Sequence, residues 1–134
     1  MLRLEIVTPE SKAYSDDVDS VVIPGIEGEL GILPNHVPLM TQLLPGELRV
    51  SKGGQELRLA VGEGFVEVTG DKVAVLTDMA LEESAIDADA AEEAVRRAED
   101  AMKNNKLNDE EYATVNAALQ KSLAQIRVKR RRTY

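Results

Sequence analysis

The segment from Pro24 to Leu39 constrains the fold of this chain more than any other stretch. It reads PGIEGELGILPNHVPL, with three evenly spaced glycines at Gly25, Gly28 and Gly31 and three prolines at Pro24, Pro34 and Pro38. Glycine adopts backbone angles that residues with a Cβ resist, and proline fixes φ, so this backbone must turn several times. Its apolar residues fall on both strand parities, which predicts a segment that is either buried on two sides or bent at a glycine.

The composition excludes several classes of site. The 134-residue chain has no Cys and a single His, and its residues are 43% hydrophobic but only 3% aromatic. It is long enough for one domain, or for one domain and an appendage, with an aliphatic core. Disulfides, thiolate catalysis, cysteine-bound zinc and a multi-histidine metal site are excluded. The remaining candidates for catalysis are scattered carboxylates, so we expect neither a metal nor a catalytic site.

Charge and hydropathy bear on where the chain works. No apolar run approaches the ~18 to 20 residues of a membrane span, and residues 1–7 alternate like a strand rather than a signal peptide. We therefore expect a soluble, intracellular protein. Residues 1–84 carry six Lys and Arg against 15 Asp and Glu, whereas residues 85–134 carry ten against nine, for a net charge of −8. This asymmetry predicts that the two parts meet different surfaces.

Residues 1–84 are predicted to form an antiparallel β-sandwich. Short aliphatic strands alternate with turn signals every ~8 to 12 residues, a spacing typical of such folds. The turn signals are Pro45-Gly46, Gly53-Gly54, Gly62-Glu63-Gly64 and Gly70-Asp71. None of them fits a phosphate-binding loop, because neither Gly-x-x-x-x-Gly-Lys-Ser/Thr nor Gly-x-Gly-x-x-Gly occurs between a strand and a helix.

Residues 85–134 are predicted to form an α-helical hairpin. The first helix extends from Asp87, its N-cap, to Lys103, and the second begins after Asn108, which forms a capping box with Glu111. The apolar face predicted for the second helix comprises Tyr112, Val115, Leu119, Leu123 and Ile126. The apolar stripe of the first helix is mostly alanine, and alanine buries little area, so we expect the hairpin to be weakly attached to the sandwich.

The chain ends in a basic cluster. Five cations occupy six positions, namely Arg127, Lys129, Arg130, Arg131 and Arg132. They are either a solvated helix end that suits the negative C-terminal dipole or a docking site for an acidic protein partner. Nucleic-acid binding is not expected, since the sequence pI is about 4.7 and no aromatic platform accompanies the cations.

The segment from Pro24 to Leu39 is similar to the signature of the epsilon subunit of F-type ATP synthases, roughly Gly-x-x-Gly-x-x-Gly-Ile-x-Pro-x-His-x-Pro-Leu. Residues 124–128, AQIRV, resemble the second helix of bacterial members. Sandwich, signature and helical hairpin follow in the family's order, so the resemblance covers essentially the whole chain.

The resemblance implies a non-catalytic central-stalk subunit of the proton-translocating ATP synthase, peripheral on the cytoplasmic face of the bacterial plasma membrane. Such a subunit binds the gamma subunit, touches the ring of c subunits and helps to convert proton flow into ATP synthesis. It associates with the membrane only through the complex. Glu29 and His36 fall where the family's sandwich approaches the c subunits, and the alternative is that both are ordinary exposed loop residues.

The resemblance also implies that the C-terminal helices inhibit ATP hydrolysis by extending into the alpha/beta catalytic head and contacting it electrostatically. The five cations from Arg127 to Arg132 then become candidates for inhibitory contacts. Some members bind ATP through an Ile/Leu-Asp-x-x-Arg-Ala motif. Here Ile86 and Asp87 are present but Ala90 replaces the arginine, so a guanidinium that would neutralise phosphate is missing. We therefore expect no ATP cofactor.

An alternative is a free-standing ligand-binding β-sandwich with a helical protein-interaction tail. That function needs a pocket with convergent polar and aromatic groups. The sandwich half offers only Tyr14 and Phe65 as aromatic residues.

Overall fold

The computed structural model describes residues 1–104 and 106–130, and two of the predicted inhibitory cations, Arg131 and Arg132, lie outside these ranges. Ten strands come first: β1 (Leu2–Val7), β2 (Lys12–Val18), β3 (Ser20–Gly25), β4 (Gly28–Ile32), β5 (Leu39–Leu43), β6 (Gly46–Lys52), β7 (Gln55–Val61), β8 (Gly64–Thr69), β9 (Lys72–Thr77) and β10 (Ala80–Glu82). A short 3₁₀ turn (Glu83–Ala85) leads into two helices, α1 (Ala88–Asn104) and α2 (Asp109–Arg130).

The strands form one folded sheet in the order β10-β7-β6-β3-β5-β8-β9-β1-β2, with β4 paired to β3. Its two halves close over a single aliphatic core, since the inward residues of both halves belong to one buried cluster. The predicted antiparallel sandwich followed by a helical hairpin is therefore confirmed. Among the described strand pairs, β1 and β9 run parallel, and the others are antiparallel.

The sheet changes direction inside the Gly/Pro segment. β3 meets β5 only at Gly25, which pairs with Leu43. A Cβ added at Gly25 would lie 3.1 Å from the carbonyl oxygen of Gly28, a tight contact, so the β3–β4 turn favours a glycine there. The predicted bend of this segment thus supplies the corner between the two halves of the sandwich.

The Gly53-Gly54 turn connects β6 and β7 as the sequence predicts. Both glycines have positive φ, 59° and 77°, which suits a two-residue hairpin turn whose twist matches the flanking strands. This turn sets the register in which Lys52 opposes Gln55.

Both predicted helix starts are confirmed by their hydrogen bonds. The Ala90 amide donates to Asp87 Oδ1 at 3.1 Å, so Asp87 caps α1. At α2, the Glu111 amide donates to Asn108 Oδ1 at 2.7 Å, and the Asn108 amide donates to Glu111 Oε1 at 3.1 Å. These reciprocal bonds form a capping box, which satisfies two amides that the helix itself leaves without partners.

The predicted apolar face of α2 is partly wrong. Leu119 is buried, but Tyr112 and Leu123 are exposed, while Ala124 and Val128 are buried instead. The reason is that α2 lies between α1 on one side and strands β6 and β7 on the other. A helix packed on two sides has no single apolar stripe, so helical periodicity alone does not identify its buried positions.

Candidate interaction surfaces

Helix α2 covers the outer face of one half of the sandwich. Two outward positions on this half, Glu47 on β6 and Ala60 on β7, are buried. Ala60 packs in a small cluster with Ile86, Ala124 and Val128. This face is therefore occupied for as long as the hairpin is docked.

The outer face of the other half carries a group of exposed apolar residues. Met40 on β5, Phe65 on β8 and Leu76 on β9 have exposed fractions of 67%, 59% and 55%. Phe65 lies directly opposite Leu76, and Met40 lies opposite Glu67, one diagonal step from Phe65. We call these three residues the apolar face. Exposed apolar patches with a polar surround mark interaction sites, and aromatic residues and Met are enriched in interface cores.

Sequence reasoning missed the apolar face, although a signal was present. Along β8 and β9 the inward positions, among them Val66 and Val75, are apolar as expected. Phe65 and Leu76 occupy outward positions, where a solvated strand normally carries polar residues. Apolar residues on both faces of consecutive strands therefore predict a second partner for the sheet.

Glu29, a predicted contact residue for the c subunits, is held by Arg49. The Arg49 guanidinium donates to both carboxylate oxygens of Glu29, at 2.8 and 3.3 Å, and to Glu47 Oε1 at 3.2 Å. The pKa of Arg49 is raised above its ordinary value, mainly by its hydrogen bonding to Glu29. Glu29 and Arg49 line an open cleft of about 520 Å³ together with Ile126, Arg127 and Arg130. Glu29 therefore lies beside the C-terminal end of α2.

His36, the second predicted contact residue, lies in the loop that follows β4. Its amide donates to the Leu33 carbonyl at 3.2 Å, and its ring Nδ1 is 2.7 Å from the carbonyl oxygen of Val37. The Asn35 amide donates to Asp71 Oδ1 at 2.8 Å, which ties this loop to the turn between β8 and β9. Since Glu29 stands near the start of β4 and His36 beyond its end, the structure does not bring the two into one cleft.

The described part of the basic cluster is partly engaged within the chain. Lys129 Nζ donates to the carbonyl of Glu83 at 3.2 Å. Arg130 pairs with Glu92 on α1, and its Nη2 lies 3.9 Å from Asp89 Oδ1. Arg127 is exposed and lines the cleft beside Glu29. These partners therefore compete with any other protein for Lys129 and Arg130.

The two nucleotide candidates have structural roles. Ile86 is buried in the cluster with Ala60, and the carboxylate of Asp87 caps the amide of Ala90, the residue at the motif's arginine position. Among the described residues, no group of His, Asp and Glu side chains is arranged to hold a metal ion. Neither described helix is apolar enough over sufficient length to cross a membrane.

Comparisons with known proteins agree with this architecture. The family model for the β-sandwich domain of the ATP synthase delta/epsilon chain matches residues 1–83, and the model for its long α-helix domain matches residues 84–130. The chain is 44% identical to the ATP synthase epsilon chain of Dehalococcoides mccartyi over 131 residues, which cover 98% of this chain and 94% of that one. It is 43% identical to the ATP synthase epsilon chain of Desulforamulus reducens over 125 residues, covering 93% and 94% of the two chains.

Solved structures show the same fold. A chain from the Euglena gracilis mitochondrial ATP synthase, solved as OSCP/F1/c-ring, superposes with a TM-score of 0.74 at 24% identity, covering 89% of this chain and 75% of that one. A chain from the central stalk and c-ring of the Tetrahymena thermophila mitochondrial ATP synthase gives 0.63 at 13% identity, covering 96% of both chains.

Proposed function

Because the chain belongs to the ATP synthase epsilon-chain family, we propose that it acts without a catalytic site of its own, as a central-stalk subunit that joins the gamma subunit to the c-subunit ring. As a member of this family it takes part in ATP synthesis as a subunit of the ATP synthase. We further propose which surface meets which partner and how the helices restrain ATP hydrolysis. We also propose that the complex holds the chain on the cytoplasmic face of a bacterial membrane.

The observation that carries the proposal is the apolar face. A central-stalk subunit needs a stable partner, and an exposed Phe flanked by Met and Leu has the composition of an interface core. Since α2 already covers the opposite outer face, this face is the sandwich surface open to the gamma subunit. The sandwich thus holds one partner on each outer face, its own α2 and gamma.

Contact with the c-subunit ring is proposed for the Glu29 and His36 regions. Glu29 projects from β4 and keeps about half of its side chain exposed while paired with Arg49. The loop that carries His36 also exposes Leu33 and Val37. An ordered loop with mixed polar and apolar side chains suits the rim of a protein contact.

Restraint of ATP hydrolysis is proposed for α2 when it leaves the sandwich and extends toward the alpha/beta head. Arg127, Lys129, Arg130, Arg131 and Arg132 would then face carboxylates of the head. Exposed ion pairs contribute only ~0 to 1 kcal/mol each, so exchanging those of Arg130 for contacts in the head costs little. The docked and extended states can therefore lie close in free energy.

The gamma assignment is tested by binding measurements on the full chain. Phe65→Glu buries a charge in the proposed interface and should weaken gamma binding by at least about tenfold, as expected for a central interface residue. The matched control is Leu123→Glu, because Leu123 is an exposed leucine on α2, away from the apolar face. Equal binding by both variants would overturn the assignment.

The inhibitory role is tested without touching Lys129 and Arg130, whose contacts within the chain are described above. Arg127, Arg131 and Arg132 are replaced together by Ala, which spares the contacts of Lys129 and Arg130 within the chain. The reconstituted complex should hydrolyse ATP up to about tenfold faster, the limit for a few exposed pairs. The control replaces three exposed α1 cations, Arg96, Arg97 and Lys103. If the wild-type rate persists in the test variant while deletion of residues 85–134 activates, these three cations make no inhibitory contact.

A further inference from the structure

Besides packing on β6 and β7, helix α2 makes three polar contacts, spaced one turn apart near its C-terminal end, with a short segment that follows β9. Lys121 Nζ lies 3.6 Å from Asp78 Oδ2, Gln125 Nε2 lies 3.2 Å from the sulfur of Met79, and Lys129 Nζ lies 3.2 Å from the Glu83 carbonyl. Positions 121, 125 and 129 are four residues apart, so they share one face of the helix. We call residues 78–86, on which this face rests, the clasp.

The apolar part of the same seam is small. Ala124 and Val128 of α2 are buried against Ala60 and Ile86, with Met79 and Leu81 partly buried at the edge. Because alanine removes much less apolar area from water than leucine does, this cluster contributes less than a Leu-rich helix seat would. The three polar contacts therefore make up a large part of the seam.

The clasp itself is firmly attached to the sandwich. Its strand β10 pairs with β7, the Gly62 amide donates to the Met79 carbonyl at 3.0 Å, and the Asp78 amide donates to the Glu63 carbonyl at 3.2 Å. Farther along, Arg58 on β7 donates to Glu83 Oε2 at 2.9 Å. The clasp is thus part of the sandwich, and the weaker boundary lies between the clasp and α2.

A glycine underlies the first contact of the seam. A Cβ added at Gly62 would collide with the carboxylate of Asp78 and lie 3.2 Å from Lys121 Cδ. Gly62 therefore leaves room for the Asp78 and Lys121 side chains to meet over its backbone. A side chain here would displace the pair without changing any charge.

We propose that the Asp78–Lys121 pair is a charge-dependent contact that closes the seam between α2 and the clasp, along which α2 separates from the sandwich. This inference rests on the proposed function, because release of α2 is the step that inhibition requires. The clasp stays with the sandwich when α2 departs. Release of α2 then exposes the Ala60 and Ile86 side chains and frees Lys129.

Release can be followed in the isolated full chain, because the natural sequence has no Cys. A single cysteine in place of Val128, which is fully buried in the seam, reacts with a thiol reagent only after α2 departs. A separate variant, Val75→Cys, reports opening of the sandwich core. Comparing the two rates separates local release from global unfolding.

Lys121→Glu should raise the labelling rate of the cysteine at 128 about fivefold, near the upper limit for one exposed ion pair. The rate at 75 should not change. Asp78→Lys combined with Lys121→Glu should bring the rate at 128 back to within about twofold of the parent. Gly62→Ala should also raise the labelling rate at 128. Added salt should raise this rate in the parent more than in Lys121→Gln. The matched control, Lys103→Glu, makes the same charge change on α1 and should have little effect.

An unchanged rate at 128 in Lys121→Glu would overturn the proposal, and so would a parallel rise at 75, because the seam would then not open separately. The assay needs no other subunit, so it fails or succeeds independently of the proposed function. A further outcome is that labelling follows the expectation while Lys121→Glu does not alter ATP hydrolysis by the reconstituted complex. That result would support the role of the Asp78–Lys121 pair and contradict the inhibitory role of α2.

Discussion

Arg49 reaches across β3 to hold the carboxylate of Glu29, with its two terminal nitrogens 2.8 and 3.3 Å from the two carboxylate oxygens. Arg49 lies on β6 and Glu29 on β4, and both strands pair with β3. A planar guanidinium that binds a carboxylate with two hydrogen bonds fixes its orientation. Glu29 is therefore presented in a defined position at the mouth of the cleft beside α2.

Arg49→Met should destabilise the sandwich by about 1 to 3 kcal/mol, because the buried Glu47 loses a charged hydrogen-bond partner. Urea unfolding measures the change. The control is Arg3→Met, since the pair of Arg3 with Asp17 is about half exposed and should contribute less than about 1 kcal/mol. If both variants lost the same free energy of unfolding, a special role for Arg49 would be contradicted.

The folding stability of the chain should fall in acid, because two carboxylates that are paired with lysines become protonated. A hydrogen bond from Lys52, at 2.5 Å, holds the pKa of Asp16 below its ordinary 3.8, and one from Lys72 holds the pKa of Glu5 below its ordinary 4.5. A pKa that is lower in the folded state than in the unfolded state adds stability above the unfolded pKa. That stability is lost as the pH falls through the folded value.

We therefore expect the urea midpoint to fall as the pH drops below about 4.5, and Lys52→Met to make this fall shallower by removing the partner of Asp16. Urea titrations at a series of pH values check it. Lys103→Met, which removes a cation from α1, is the control and should leave the acid limb unchanged. An identical acid limb in Lys52→Met and the parent would count against the Asp16 contribution.

Gly64→Ala should be strongly destabilising, whereas Gly31→Ala should be tolerated. A Cβ at Gly64 would collide with the backbone of Leu76 and Thr77 on β9, and a backbone cannot rotate away as a side chain can. At Gly31 no atom lies within 4 Å of the added Cβ. We expect a loss of about 3 kcal/mol or more at Gly64, the upper end for overpacking, measured by thermal or urea unfolding. Similar stabilities of the Gly64→Ala and Gly31→Ala variants would contradict the close approach of β9 to Gly64.

The sandwich should fold without the hairpin. A fragment of residues 1–86 retains the whole core cluster and the clasp, and it loses the packing of α2 on β6 and β7 and the contacts of α2 with the clasp, whose apolar part is small. A cooperative thermal transition and unimpaired gamma binding are expected. A fragment of residues 1–84, which ends at the predicted domain boundary, should fold as well. An unfolded fragment in both cases would show that the hairpin is integral to the domain.

Mg-ATP should not bind the isolated chain in the micromolar range, which corresponds to about −8 kcal/mol at 1 μM. Ala90 provides no guanidinium, and Asp87 is engaged in capping α1. Calorimetry measures this directly, and Ala90→Arg is the matching gain-of-function variant. A clear micromolar isotherm for the natural chain would contradict the prediction.

Much of the fold follows from short-range sequence signals. Alternating aliphatic residues, the Gly53-Gly54 turn and the capping residues Asp87 and Asn108 each determine a local backbone geometry within a few positions. The Gly/Pro segment from Pro24 to Leu39 carries the family resemblance because its turns depend on which residues occupy it. The sequence predicts these features because the interactions behind them act between neighbours in the chain.

Only the tertiary structure decided how the outer faces are used. The burial of Ala124 and Val128 depends on strands some 60 residues earlier, so no periodicity within α2 reveals it. The pairing of Glu29 with Arg49 depends on the order of β4, β3 and β6. The apolar face exists because α2 packs on one half of the sandwich and leaves the other half uncovered. Burial is a property of what packs against a residue, and packing joins segments that the sequence holds far apart.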